Sequence, residues 1–169
     1  MEKAIAIFYG PKVKGIVTFT QSKNKKVLVT INLKGLPKNK TMGFHIHEYG
    51  DERDGCNSLG GHWNPTKKEH GSLDFNTFGH HWGDLCNNIS SNSKGNVNFN
   101  YTDPLIKLTG KHNIFGRSVV IHAGKDDLGQ GTTLVSAKPN EVRQSTKESL
   151  ITGNAGKRIA CGIIVHYKN

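Results

Sequence analysis

Three short runs near the start of the chain decide what it can fold into. Lys3–Tyr9, Gly15–Thr20 and Val27–Leu33 alternate apolar and polar side chains or nearly so, are rich in Val, Ile, Phe and Thr, and are joined by Gly10-Pro11 and Ser22–Lys26. A two-residue period puts successive side chains on opposite faces of an extended backbone, so each run reads as an antiparallel strand with one buried face. No stretch up to this point holds a 3.6-residue period. Leu36-Pro37-Lys38-Asn39 reads as a turn, Thr41–His47 as the next strand, and Asn96–Tyr101 alternates again. Ile106–Leu108 and Ser118–His122 are further apolar runs, and Ile159–Tyr167 reads as a buried closing strand. Eight or so short strands with two long loops predict an all-β sandwich or barrel. At 169 residues, residues 1–169 are expected to form one domain.

The two loops are the exceptions to this pattern. One runs from about Glu48 to Asn92, and a second, with no convincing strand, from Ala123 to Lys157, where Glu141–Leu150 reads as a short helix. Loops this long are uncommon in a compact domain and point to function or disorder. The first follows a strand that carries two histidines: His45 and His47 are two residues apart and so share a face, with Phe44 and Ile46 on the other. His62, His70, His80, His81 and Asp84 come next, among Gly, Asn, Pro and charged residues, and His122 ends the run SVVIH at a strand terminus. Imidazoles at this density read as metal ligands, and ligation would fix a loop that no strand ladder shapes.

Composition narrows the function classes. The formal net charge of +10 invites a nucleic-acid reading, but residues 1–40 hold nine lysines and one carboxylate while the rest is near balance. Those lysines sit mostly near turns, without arginine or aromatic interleaving, so they read as a solvated basic face with no specific nucleic acid as partner. No apolar run reaches membrane-spanning length, and MEKAIAIFYGPK lacks the form of a secretory signal, so no membrane partner and a cytoplasmic location are expected. Cys56, Cys86 and Cys161 lack the CxxC spacing of a thiolate site and leave room for one pair and one spare.

Several pieces together resemble the copper-zinc superoxide dismutase family of the eukaryotic cytosolic type. They are Gly43-Phe44-His45-Ile46-His47-Glu48, Gly60-Gly61-His62-Trp63-Asn64-Pro65, Glu69-His70-Gly71 and His81-Trp82-Gly83-Asp84-Leu85. Further on stand Gly116-Arg117, Val120-Ile121-His122, Asp126-Asp127-Leu128-Gly129, and Thr152-Gly153-Asn154-Ala155-Gly156 followed by Arg158-Ile159-Ala160-Cys161-Gly162. They occur in family order over almost the whole chain.

The resemblance implies an eight-stranded antiparallel Greek-key barrel or sandwich, immunoglobulin-like, with two functional loops, and an enzyme that dismutates superoxide by redox cycling of copper. It assigns copper to His45, His47, His62 and His122 and zinc to His62, His70, His81 and Asp84, with His62 shared by both ions as an imidazolate. It places Asp126 as the carboxylate behind His45 and His70, with Asp127 as a surface or loop-capping residue, and it selects His81 over His80. It gives catalytic roles to His62 and Arg158, pairs Cys56 with Cys161, leaves Cys86 free, and matches Lys147 to a residue that steers substrate. A homodimer is implied, with contacts at Tyr49, Gly50, Phe115, Gly116 and Ile163. The absence of proline beside Arg158, where Lys157 and Ile159 stand, is like members that do not strictly need the dedicated copper chaperone. His112 and His166 are left as ordinary polar residues. A non-catalytic copper-transfer domain of the same fold would lack a copper histidine or the arginine, and all are present.

Overall fold

The structure is a computed structural model that describes residues 1–72, 79–134 and 143–168. Its strands are β1 (Lys3–Tyr9), β2 (Lys14–Gln21), β3 (Val27–Lys34), β4 (Thr41–His47), β5 (Asn88–Ser90), β6 (Val97–Asp103), β7 (Ser118–His122), β8 (Thr132–Leu134), β9 (Arg143–Ser145) and β10 (Arg158–His166), with one helix, α1 (Lys147–Thr152). Eight of them form one antiparallel sheet in the order β5-β4-β7-β10-β1-β2-β3-β6. Its two edge strands follow each other in sequence, and the turn between them is closed by Asn92 N–H on the Asn96 carbonyl at 2.9 Å. The result is a nearly closed Greek-key barrel.

The interior is filled by the inward set of the alternating strands. Ala4, Ala6 and Phe8 of β1, Val17 and Phe19 of β2, Val27, Val29, Ile31 and Leu33 of β3, and Met42, Phe44 and Ile46 of β4 all join one core. At about 25 cal/mol per Å² of apolar surface removed from water, this burial is what holds the barrel. In β4 and β7 the register sets His45 opposite Val120 and Ile46 opposite Val119. Val119 and Ile121 therefore face the core, while His45, His47, Val120 and His122 lie on the outer face of the same two strands.

Four expectations change. Asn88–Ser90, read as loop, forms β5 on the edge of β4. The second loop holds the hairpin β8–β9, paired Thr132↔Ser145 to Leu134↔Arg143. Such three-residue strands are too short for periodicity to register. The helix overlaps the expected Glu141–Leu150 only over Lys147–Leu150 and runs on to Thr152, because its start is set by a cap: Thr146 Oγ1 accepts from Ser149 N–H, and Gly153 ends it in the left-handed region. The closing strand β10 is not buried throughout, since Ile159 and Val165 are exposed while Ile164 faces the core. Residues 73–78 of the histidine-rich stretch, and 135–142 of the second loop, lie outside the described residues.

Candidate metal centre

Two groups of four ligating side chains, all buried, lie on the outer face of β4 and β7. His45, His47, His62 and His122 form one, and His62, His70, His81 and Asp84 the other; within each, the ligating atoms are all within 4.8 Å of one another. His62 is common to both. β4 and β7 supply His45, His47 and His122, and an isolated bridge between His47 and His62 docks the first loop on β4. A short 3-10 turn, Trp82–Asp84, presents Asp84, whose Oδ2 accepts from the backbone N–H of His81 at 3.0 Å.

The ring orientations follow from what each ring's second nitrogen touches. His47 Nδ1 donates to the Gly60 carbonyl and His122 Nδ1 to the Gly156 carbonyl, each at 2.9 Å. Both Nε2 atoms are then bare acceptors, and they face each other at 3.2 Å. Two lone pairs cannot bond one another. His45 Nε2 donates to Asp126 Oδ2 at 2.6 Å, which leaves its Nδ1 bare, and both His45 Nδ1 and His62 Nε2 are buried without a hydrogen-bond partner. Orphaned buried acceptors of this kind are costly. Four imidazole nitrogens converging without protons between them fit a copper ion.

The second group turns its atoms the other way. Asp84 Oδ1 lies 2.8 Å from His62 Nδ1, 2.9 Å from His70 Nδ1 and 3.1 Å from His81 Nδ1. Three imidazoles and one carboxylate match the donor set and count of a tetrahedral zinc site. His62 thus presents Nδ1 to one group and Nε2 to the other.

Asp126 ties the two groups together. Its Oδ2 accepts from His45 and its Oδ1 from His70 Nε2 at 2.9 Å, so one carboxylate orients a ring in each group. Asn87 Nδ2 donates to Asp126 Oδ2 at 3.2 Å and to the Gly71 carbonyl, and Asn88 brackets the Asp126 backbone from both sides. Gly153 completes the packing: a Cβ there would land on the Asp126 carboxylate and the His70 ring. Asp127 caps the second loop, accepting from Ser149 Oγ at 2.7 Å and Asn154 Nδ2 at 2.6 Å.

Burial and charge set the protonation of these side chains. Burial, reinforced by His45 and His70, lowers His62 to about 3, and burial is also the main cause that lowers His122 to about 4. Burial likewise lowers His45 and His47. His70 goes the other way: burial opposes its charge, but hydrogen bonds to Asp126 and Asp84 outweigh it and raise it to about 9.

Arg158 reaches the rim of the first group from a β-bulge in β10, where the register shifts between Arg158 and Ala160. Its guanidinium donates to the carbonyls of Cys56 at 2.8 Å, Asn57 at 3.2 Å, and Gly60. The Gly60 carbonyl therefore holds both Arg158 and His47. Cys56 is itself bonded to Cys161 of β10 across 105 residues, the disulfide the resemblance implied, and Cys86 is free. His80 is buried but turns its Nδ1 to the His81 carbonyl at 2.7 Å and joins neither group. Lys147 begins α1 and is exposed. Gly50 packs against Gly116 and Ile163, so these three expected contact residues share one patch with Tyr49, whose carbonyl accepts from Ser118 Oγ. Phe115 stacks on His166 with ring centres 3.6 Å apart.

Sequence reasoning missed the carbonyls of Gly60 and Gly156, Asn87, and the Arg117 guanidinium that lies 3.1 Å over the Trp63 ring. Backbone acceptors carry no residue-type signature. Asn87 and Asn88 stand just after the family piece His81–Leu85, and their proximity to it was the available signal.

An antiparallel barrel that carries an imidazole shared between a four-nitrogen site and a three-nitrogen, one-carboxylate site is a dinuclear metalloenzyme of the β-barrel class. Residues 13–164 match the profile of the copper/zinc superoxide dismutase (SODC) family. The chain is 45% identical over 166 residues to superoxide dismutase [Cu-Zn] of Schizosaccharomyces pombe, covering 97% of each. It is 46% identical over 169 residues to the extracellular superoxide dismutase [Cu-Zn] of Drosophila melanogaster, covering 96% of this chain and 84% of that one. A crystal structure of the clock protein EA4 superposes with a TM-score of 0.82 at 38% identity, over 98% of this chain and 95% of that one. The chain belongs to the copper/zinc superoxide dismutase family, and its activity is the dismutation of superoxide with copper and zinc as cofactors. Among the described residues, no helix is long and apolar enough to cross a membrane.

Proposed function

We propose that His62 and Arg158 carry the reaction, in which two superoxide anions and two protons give dioxygen and hydrogen peroxide. His45, His47, His62 and His122 would hold copper, and His62, His70, His81 and Asp84 zinc. Copper would supply the one-electron redox chemistry when bound, and zinc, which does not change oxidation state, would be held at the second nitrogen of His62. The observation that carries this reading is the single ring of His62, whose Nδ1 meets Asp84 Oδ1 while its buried Nε2 has no partner. With Nδ1 held by zinc, protonation at Nε2 would give a neutral ring, so an imidazole so placed could accept a proton there and return it to a reduced anion beside it. Arg158, fixed by three carbonyls, offers a positioned cation to a small anion at the same rim. Lys147 is assigned to the approach field, which salt should weaken.

The proposal extends to a single domain over residues 1–169 and to a symmetric homodimer through Tyr49, Gly50, Phe115, Gly116 and Ile163. Exposed Tyr49 and Val165 border that patch, and an isologous contact would cover them. Sedimentation of a variant at exposed Tyr49, Tyr49→Arg, as a folded monomer would support this face; an unchanged dimer would exclude it. Copper delivery without strict need of a chaperone, and residence in the cytoplasm, where the free thiol of Cys86 would persist, complete the reading.

Metal analysis with superoxide consumption at two ionic strengths tests the roles. Replacing His62 with Ala should lower activity more than about 100-fold, beyond the loss from removing a supporting partner. Arg158→Ala should keep both metals and lower the second-order rate, with weaker salt dependence. Unchanged activity in fully loaded His62→Ala protein would remove His62 from the mechanism.

A further inference from the structure

The turn Ser22–Lys26 and the loop from 104 to 113 close one end of the barrel, and between them lie two adjoining cavities of about 290 and 260 Å³. Both cavities are lined by Gln21, Lys25 and Thr109, so they form one groove. Gln21 is buried and builds the floor: its Oε1 accepts from Leu108 N–H at 2.8 Å and its Nε2 donates to the Lys25 carbonyl at 3.3 Å. Along the walls stand Lys23, Lys25, Lys107, Lys111 and His112, against one lining carboxylate, Glu2. Among the described residues, none of these four lysines has a carboxylate partner. The groove is remote in function from the metal ligands, and nothing in the dismutation reaction calls for it.

Several ammonium groups around one concavity repel one another, and a compact multivalent anion relieves that repulsion at several of them at once. A monovalent anion gains little from such an arrangement in water. We propose that this groove binds a short linear polyphosphate chain through Lys23, Lys25, Lys107 and Lys111. The adjoining aromatic surface favours the phosphate chain over a nucleotide base. Lys107 Nζ already sits 4.8 Å from the centre of the Trp82 ring, and His112 meets that ring edge-on at 5.8 Å, so a stacking base would first have to displace them.

The test is calorimetric titration of the metal-loaded enzyme with inorganic tripolyphosphate at low ionic strength. A saturable site is expected, with a Kd that rises about tenfold in the Lys25→Gln, Lys107→Gln, Lys111→Gln variant, the sum of three modest charge contributions. A matched variant, Lys12→Gln, Lys34→Gln, Lys38→Gln, removes the same charge at or beyond the opposite ends of β2 and β3 and should bind within a few-fold of the parent, roughly the scale of one such contribution. Absence of a saturable site, or equal weakening in the two variants as diffuse charge or metal chelation would give, overturns the proposal. ATP should bind no more tightly than tripolyphosphate; affinity higher by about tenfold, a gain of about 1.4 kcal/mol, would replace the phosphate-chain reading with a base-recognising one.

Discussion

The two halves of the barrel are built from the same strand geometry and differ in what covers them. β1, β2 and β3 keep one face in and one face out: β3 alternates buried and less buried residues from Val27 to Lys34 without a break. β4 and β7 do not alternate. Every residue of β4 after Thr41 is buried, as are all five of β7. Their inward residues join the core, and their outward residues, His45, His47 and His122, lie under the two long loops. A strand buried on both faces in an antiparallel barrel needs a second cover, and here that cover is made of ligands. Chemistry sits where the alternation fails.

The disulfide is the strongest covalent tie of that cover. Cys56→Ser should destabilise the metal-free protein by up to ~4.7 kcal/mol, the chain-entropy value for closing a loop of about a hundred residues. It should also release the carbonyl clasp on Arg158, so activity per bound copper should fall as well. Denaturation of the metal-free chain that is unaffected by the substitution would mean the loop is held without it.

The alternating half should respond differently. Ile31→Ala, at a fully buried core position, should cost ~2–5 kcal/mol in chemical denaturation and leave metal affinity unchanged. Weakened zinc binding in that variant would erase the distinction between the halves. Asp126→Asn should do the reverse, since it keeps the shape of a side chain that orients His45 and His70. A 10–100-fold loss of metal affinity is expected, about 1.4–2.7 kcal/mol, with little change in the stability of the barrel. Competition with a chelator measures it, and equal affinity would reduce Asp126 to a bystander.

Acid should act on the histidines of the covered half. His62 and His122, neutral in the folded metal-free chain down to about 3 and about 4, take up protons near 6.5 once unfolded. Between those values the unfolded state holds more protons, so their contribution is complete above 6.5 and is lost as pH falls, by at most about 1.4 kcal/mol per pH unit for each. His70 is shifted upward to about 9, so its contribution is complete below 6.5 and is lost as pH rises through 9. Urea denaturation of the metal-free protein should therefore show stability falling on both sides of neutrality. A profile that rises toward acid would contradict these environments.

Much of this was legible before any coordinates. Alternation located β1 to β3 and β6 because each keeps one face in and one out, and the same two-residue spacing put His45 and His47 on one side of β4, a strand buried on both faces. It missed β5, β8 and β9, whose three residues hold no period, and it misplaced α1, whose start is fixed by Thr146. β10 read as buried because its apolar run is continuous, yet Val165 points outward. The metal ligands were visible as residue types, but the carbonyls of Gly60 and Gly156 that aim His47 and His122 were not, since any residue offers a carbonyl.

The shared ring of His62 is tested most directly by counting protons. Its Nδ1 faces the zinc group and its Nε2 the copper group, and His45, His47, His62 and His122 are all shifted toward the neutral form. Zinc on Nδ1 would leave the ring's one proton on Nε2, so copper added to the zinc-loaded protein at pH 8 should displace that one proton per chain, measured as buffer-dependent heat in calorimetry. Full copper uptake with no proton released would show that His62 does not bridge the two sites.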